Sequence, residues 1–461
     1  MAGLIDLEGL NLDANGVFML GMTILAFLIP IVLILPPVPL QKSDALVQTH
    51  SLAGLGAAKS NLKKQHAAAA HAARDGQPAA IQSLVIYPVK SCRGIELGKS
   101  KVLPHGLQHD RIYTFAQLRS PFPAPVAADG SGSGKGGKDG KEEEEECWDF
   151  ITQRQFARLA TVVVELWLPD EMKLRRQGLN LKSTRETWMI LRFPWRERGW
   201  RGWLEAMAAK LAGGLRAEPQ REVLLPVDFP SEQEIEERGY THENVRIWKE
   251  RVRALNMEKD LSEELRLYLG VSNRLGLFRL DPAALREVHA CAPSKETAGC
   301  QSVTGFQDAY PVNIQNLNSV QQFSSEILKD AGLKTLDVLR FRPNIILSGA
   351  PAYEEETWKK ICLKSGSSGL YNPVRFHIAC RTTRCKLPNV DPADGTRHPS
   401  EPDRTLRKVR NVDEGAPLKG CLGMQSIPLF DKGLSGDDLE TWIGVGMTLE
   451  VEETGKHVIP K

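Results

Sequence analysis

Residues 14–41 carry no charged side chain over 28 consecutive positions, and the run GVFMLGMTILAFLIPIVLIL within them, at about 1.5 Å of helix per residue, is long enough to cross the ~30 Å hydrocarbon core of a bilayer. No other feature of the chain narrows so sharply what it can become. A secretory leader would have a basic start and a shorter apolar core, whereas Asp6, Glu8 and Asp13 precede this run. The expectation is a short non-cytosolic tail over 1–16 and a transmembrane anchor over 17–40. Beyond it Lys42, Lys59, Lys63, Lys64 and Arg74 outnumber Asp44 and Asp75, so the positive-inside rule leaves the bulk of the chain facing the cytosol.

At 461 residues the chain can build two or three domains with buried cores and does not depend on cross-links to fold. Its eight cysteines are scattered without the dense spacing of a secreted disulfide scaffold, which suits a reducing compartment. A net charge of +2 from 59 basic and 57 acidic residues gives no broad field for nucleic acid, so any anion must be bound locally.

Residues 41–80, with KKQHAAAAHAARDG, lack an apolar period wide enough for a core and read as a linker. Ordered sequence starts at IQSLVIYPVKS and runs through a strand-rich region over 81–257. That region is interrupted over 118–146, where PFPAPVAADGSGSGKGGKDGKEEEEE (121–146) lacks the apolar residues to offset the entropy of ordering and reads as a disordered surface insertion. WRGWLEAMAAKLAGGL reads as a short amphipathic helix. A second region over 258–461 alternates predicted helices (LSEELRLYLG, NSVQQFSSEILKDAG, AYEEETWKKICL, EPDRTLRKVR) with strands such as GLFRL, FRPNIILSG, VRFHIAC and MTLEVEE. Neither internal repeats nor regular βαβ alternation is visible, so the fold class is α+β, with β-rich domains and peripheral helices.

The stretch CRTTRCKLPNVDPADG places Cys380 and Cys385 on either side of an arginine. Alone, the pair defines neither a zinc site, which needs four ligands, nor a redox pair, which is normally C-x-x-C. Cys380 ends the apolar run FHIAC and reads as core. Cys385 directly follows Arg384, with Arg381 close by, and cationic neighbours favour the thiolate that acts as nucleophile or soft-metal ligand. Other basic residues sit at strand ends: Lys90 and Ser91 past the first strand, Arg111 after HD, and Arg342 with Asn344 in FRPN. The planar fork of arginine fits phosphate well.

Taken in order, IQSLVIYPVKSCRGIEL and GLQHDRIYTF resemble the N-terminal β-barrel module that precedes a MOSC (molybdenum cofactor sulfurase C-terminal) domain. FQDAYPVNIQNLNSV, FRPNIILSGAPAYEEETWKKI, CRTTRCKLPNVDPADG and EPDRTLRKVR resemble the MOSC domain itself. With an apolar segment ahead of them, the motifs are similar to the mitochondrial amidoxime-reducing component family. The resemblance implies a molybdenum cofactor (Mo-molybdopterin) lying between the modules, with Cys385 as the metal's protein ligand and catalytic residue. It implies cofactor contacts from Lys90, Ser91 and Arg111 in the first module and from Asn316, Ser319, Arg342, Asn344, Thr383 and Arg384 in the second. It further implies reduction of small N-oxygenated compounds such as amidoximes and hydroxylamines. No haem, flavin or iron–sulfur motif follows the MOSC region, so electrons would come from another protein, and the resemblance implies cytochrome b5 and cytochrome b5 reductase. The mitochondrial outer membrane is the location implied, although an endoplasmic reticulum anchor would look much the same. The chain departs from the family at CRTTRC, where the family writes C-x-R-C, at Gln425, where it has tyrosine, and at Ala350 and Pro351, where an acidic residue is common. Two further readings stand beside the reductase: a non-catalytic holder or carrier of the cofactor, and a sulfur carrier using a persulfide on Cys385.

Overall fold

The computed structural model describes residues 14–34, 41–74, 76–119, 146–178, 186–327, 333, 335–365, 369 and 371–460. The insertion expected over 118–146 lies almost wholly outside the described residues. Two compact units are present, one of residues 1–45 with 194–222 and one of 46–193 with 223–461.

The first unit contains α1 (Ala14–Ile34) and α2 (Trp200–Gly213). Helix α1 leaves its large apolar side chains exposed, Phe18 by 66% and Phe27 by 71%. Among the described residues no helix is long and apolar enough to cross a membrane, so the spanning anchor expected over 17–40 is not supported. Helix α2 starts after Gly199 and stops at Gly214, whose φ of 89° ends the regular turn.

In the second unit the strands of the barrel and of the largest sheet are β1 (Ala80–Ile86), β2 (Ile95–Leu97), β3 (Tyr113–Arg119), β4 (Cys147–Phe150), β5 (Thr241–Ile247), β6 (Glu250–Asn256), β7 (Leu275–Leu280), β8 (Val312–Asn316), β9 (Ile345–Ser348), β10 (Trp358–Lys364), β11 (Val374–Thr383), β12 (Cys421–Leu429) and β13 (Thr448–Thr454). Helix α3 (Leu317–Glu326) joins β8 to β9, and α4 (Asp403–Val409) lies between β11 and β12. Strands β3 to β7 form a closed barrel in the order β5-β6-β7-β3-β4. Trp148, Phe150, Val245, Ile247, Phe278 and Phe306 fill its interior, and the Trp148 and Phe278 rings meet edge to face at 5.2 Å. The other strands make one sheet in the order β9-β8-β12-β11-β10-β13-β1-β2, which β9 bends round by also pairing with β1. The class is α+β, as expected.

Helix α3 covers this sheet through Leu317, Val320 and Phe323, spaced three apart on one face and packed with Val85, Tyr87, Leu406 and Leu422. Each such side chain contributes about 1.5–3 kcal/mol when buried. Strands β8 and β9 are parallel across this helix, whereas the other pairings printed for the sheet are antiparallel.

Three organisational expectations change. The segment 41–80 is no free linker: His50–Leu52 pairs with Val163–Pro169, Leu62 joins the α3 core, and Asn318 Nδ2 donates to the His71 carbonyl at 2.7 Å. Much of this docking runs through backbone groups, which leave no hydrophobic period to read. AYEEETWKKICL is not a helix but a short 3-10 turn (Glu354–Thr357) and strand β10. Its Lys and Glu favour helix locally, but neighbours on both edges of the strand decide the outcome. Finally, a boundary at 257 does not partition the strands, because β1 belongs to the later sheet and β7 closes the earlier barrel.

Candidate functional site

A cavity of about 660 Å³ opens where the end of β1, the turn before β9 and the end of β11 converge. Lys90, Ser91, Arg111, Arg342, Asn344, Thr383, Arg384 and Cys385 all line it. Residues far apart in the chain are thereby brought to one place. The size is ordinary for a cofactor or small-ligand site.

Each wall is set by local backbone. Ser91, Arg111 and Arg342 have φ of 68°, 51° and 49°, a left-handed conformation that costs a non-glycine residue about 1 kcal/mol or more. Strained backbone of this kind, repeated at three positions around one cavity, is held by the fold for the direction it gives the side chains. The register of β11 against β12 shifts between Ile378 and Cys380 and again between Arg381 and Thr383, and such bulges re-aim side chains. The last paired residue is Thr383, opposite Cys421. Arg384 and Cys385 therefore leave the sheet at the cavity wall. Gly423 on β12 permits this: with φ of +83°, a Cβ there would lie 2.8 Å from the Ile314 carbonyl and 3.1 Å from Arg384 Nη2.

Charge is distributed unequally. Lys90 Nζ donates to Asp308 Oδ1 at 2.6 Å and to the Phe306 carbonyl at 2.7 Å. Arg111 pairs with buried Asp110 and also reaches Asn344 Oδ1 and the Arg342 carbonyl, both at 3.2 Å. These two cations have carboxylate partners. Arg384 instead donates to the Leu422 and Phe341 carbonyls at 2.8 Å and to Gln315 Oε1 at 3.3 Å. Arg342 donates to the Cys92 carbonyl at 2.7 Å and lies 4.0 Å over the Tyr87 ring, while its buried Nη2 has no partner. Burial pushes the pKa of both Arg342 and Arg384 down to about 10. Burial also lowers the pKa of Lys90, against the pull of Asp308. For Asp308, whose side chain is 58% exposed, crowding by the protein works against the charge, but Lys90 and Arg111 outweigh it and hold the carboxyl below the usual carboxylate range. The guanidinium groups of Arg342 and Arg384 thus bond to neutral acceptors and lie over the Tyr87 and Phe341 rings.

The thiols differ. Cys380 is buried and its pKa is pushed up to about 12 by burial, so it is a neutral wall residue. Cys385 is a free, partly exposed thiol on the cavity wall. Among the described residues no three His, Cys, Asp or Glu side chains come together as a metal-holding group. A metal placed here would take Cys385 from the protein and its remaining ligands from the group that carries it.

Asn316 and Ser319 do not line the cavity, contrary to expectation. Asn316 caps α3 and donates through Nδ2 to Pro351 O at 2.8 Å and to Glu355 Oε2 at 3.1 Å. Ser319 Oγ donates to Glu355 Oε1 at 2.6 Å. Both serve a buried carboxyl instead, and Glu354, Glu355 and Glu356 are likewise absent from the cavity wall. Conversely, Asp308, Gln307, Asn313 and Trp248 line the cavity without having been singled out in the sequence. Trp248 Nε1 donates to Asp308 at 3.3 Å.

Burial pushes the pKa of Glu355 up to about 7, although Ser319 and Asn316 favour its charged form. The folded value lies above the unfolded one, so its contribution to stability is complete below the unfolded pKa and is lost as pH rises through about 7. Glu355→Gln can keep Oε1 toward Asn316 and donate to the Ser319 hydroxyl. The variant should match the parent near pH 4.5 and exceed it above pH 7 by on the order of 3 kcal/mol, read from urea midpoints at both pH values. A gap that does not change with pH would show that this carboxyl stays neutral or stays charged throughout.

Comparison with known proteins agrees with this arrangement. Residues 78–187 match the MOSC N-terminal beta barrel domain and residues 301–428 match the MOSC domain. The chain is a MOSC-domain protein with the N-terminal barrel module. It is similar to mouse mitochondrial amidoxime-reducing component 1, at 21% identity over 73% of each chain. Shorter similarities run to the rat component 2, 30% identical over 27% of this chain and 32% of that protein, and to the human component 2, 35% identical over 23% and 30% respectively.

Proposed function

We propose that the chain binds a molybdenum pterin cofactor in this cavity and reduces N-oxygenated compounds such as amidoximes and hydroxylamines. The observation that carries the reading is the meeting of a single accessible thiol, Cys385, with the guanidinium groups of Arg342 and Arg384 in one cavity. An anionic pterin phosphate fits that surplus of positive charge, and the orphaned Arg342 Nη2 is a donor awaiting an acceptor. A thiolate suits a soft, sulfur-rich metal.

Lys90, Ser91 and Arg111 would hold one end of the cofactor, and Arg342, Asn344, Thr383 and Arg384 the other, with Cys385 Sγ as the metal's protein ligand. When bound, the cofactor would supply two-electron reduction of an N–O bond. Among the described residues Asp308 is the one carboxylate on the cavity wall, and it is held ionised by Lys90. It therefore orients the lysine and does not donate the proton that the released water requires. Cytochrome b5 and its reductase are the proposed electron source. Helix α1, with its apolar side chains exposed, is proposed to associate with a membrane; a mitochondrial location is proposed on the relatives' names, and the outer membrane on the family resemblance.

The test is metal analysis of the purified full chain together with turnover of an amidoxime given NADH, cytochrome b5 and its reductase. Near-stoichiometric molybdenum with turnover is expected. Molybdenum without turnover would favour the cofactor holder, a reading that the ionised state of Asp308 keeps in play. Absence of molybdenum, with labelled sulfur passing to Cys385 from a cysteine desulfurase, would favour the sulfur carrier.

A further inference from the structure

Helix α2 is amphipathic in the reverse of the usual sense. It buries Gly202 and Ala208 and exposes Trp200 by 70%, Trp203 by 55% and Leu211 by 50%. With Leu204 and Met207, also exposed, these side chains fall at positions 200, 203, 204, 207 and 211. At the helical period they share one stripe about 100° wide. Single exposed apolar residues need no explanation, but a stripe with two tryptophans does.

The flanks of the stripe are cationic. Arg196, Arg198, Arg201 and Lys210 are exposed around it. The nearby acids Glu197 and Glu205 are both tied to Arg221, at 2.9 and 3.3 Å, so the charge facing solvent is mainly positive. Tryptophan beside an apolar stripe with an arginine and lysine rim is the composition of helices that lie in the headgroup region of an anionic bilayer. Helix α2 belongs to the same compact unit as α1. It lies in the stretch between the two that match the MOSC modules.

We infer that α2 lies flat on an anionic lipid surface, its tryptophan stripe in the headgroup layer and its basic rim against the lipid phosphates. This goes beyond association through α1, because it gives a second helix of the same unit its own contact with the membrane.

The test is hydrogen–deuterium exchange of the full chain, with and without vesicles of phosphatidylcholine or of phosphatidylcholine with phosphatidylserine. Amides of residues 200–213 are expected to exchange about tenfold more slowly on the phosphatidylserine vesicles, and less slowly on phosphatidylcholine alone. Trp200→Ser with Trp203→Ser, at exposed positions, should abolish this protection. Arg198→Glu with Arg201→Glu should remove the preference for phosphatidylserine. Unchanged exchange in 200–213 while residues 14–30 become protected would overturn the inference and leave the α1 reading standing. Protection that appears without vesicles and grows with protein concentration would also overturn it, in favour of a contact between copies of the chain.

Discussion

Replacing Cys385 by serine is expected to lower turnover of an amidoxime by on the order of 10³ or more and to strip molybdenum from the purified chain while leaving the fold intact. The residue follows Thr383, the last paired position of β11, is partly exposed, and belongs to none of the hydrophobic clusters of the second unit. Stability should therefore change by about 0.5 kcal/mol or less. Oxygen is a harder donor than sulfur and does not replace a thiolate at a soft metal. Cys300→Ser, well away from the cavity wall, is the control and should keep both metal and turnover. The decisive pair of measurements is molybdenum content and pterin content on the same preparation. Loss of metal with pterin retained assigns Cys385 to the metal and the arginines to the pterin. Retention of both metal and turnover would remove Cys385 from the chemistry.

The parts of this site that were legible in the sequence lie where a short polar motif interrupts an apolar strand. PVKS, HDR, RPN and TTRC each end or begin a strand, and all place side chains on the cavity. What misled was facing. Asn316 lies three residues beyond Asn313 on β8, and an odd separation along a strand turns a side chain to the opposite face. Asn313 lines the cavity, and Asn316 holds Glu355 on the other side. The same rule accounts for Gln315, which shares the face of Asn313 and reaches Arg384. Asp308 and Trp248 were not legible because Asp308 pairs with Lys90, 218 residues away in the sequence, and Trp248 bonds to Asp308. The strand at Trp358–Lys364 was lost for a related reason. Its Glu and Lys content speaks for helix, and only the neighbours supplied by β11 and β13 overrule it.

Arg342 lets the anion reading be tested without any assay of activity, since Arg342→Met is expected to stabilise the cofactor-free protein while releasing the cofactor. Its charge is buried against the Cys92 carbonyl and the Tyr87 ring, and burial lowers its pKa from 12.5 to about 10. That difference corresponds to a penalty on the order of 3 kcal/mol at neutral pH. Methionine keeps the stem and removes the charge, at the loss of the hydrogen bond to Cys92 O, which costs about 1–2 kcal/mol. The net gain should be about 1–2 kcal/mol in a urea titration at pH 7. The sign of the pH dependence follows from a cation whose folded pKa is depressed. The penalty is complete below about pH 10 and fades as pH rises through that value, so the advantage of the variant should shrink above pH 10. Cofactor retention should move the opposite way, falling by about a hundredfold as charge-assisted bonds to the phosphate are lost. A residue that merely supports the fold would move both quantities together: the variant would be less stable when empty and would keep its cofactor in proportion to what remained folded. Opposed signs are what a site pays in stability to hold a guanidinium ready for an anion.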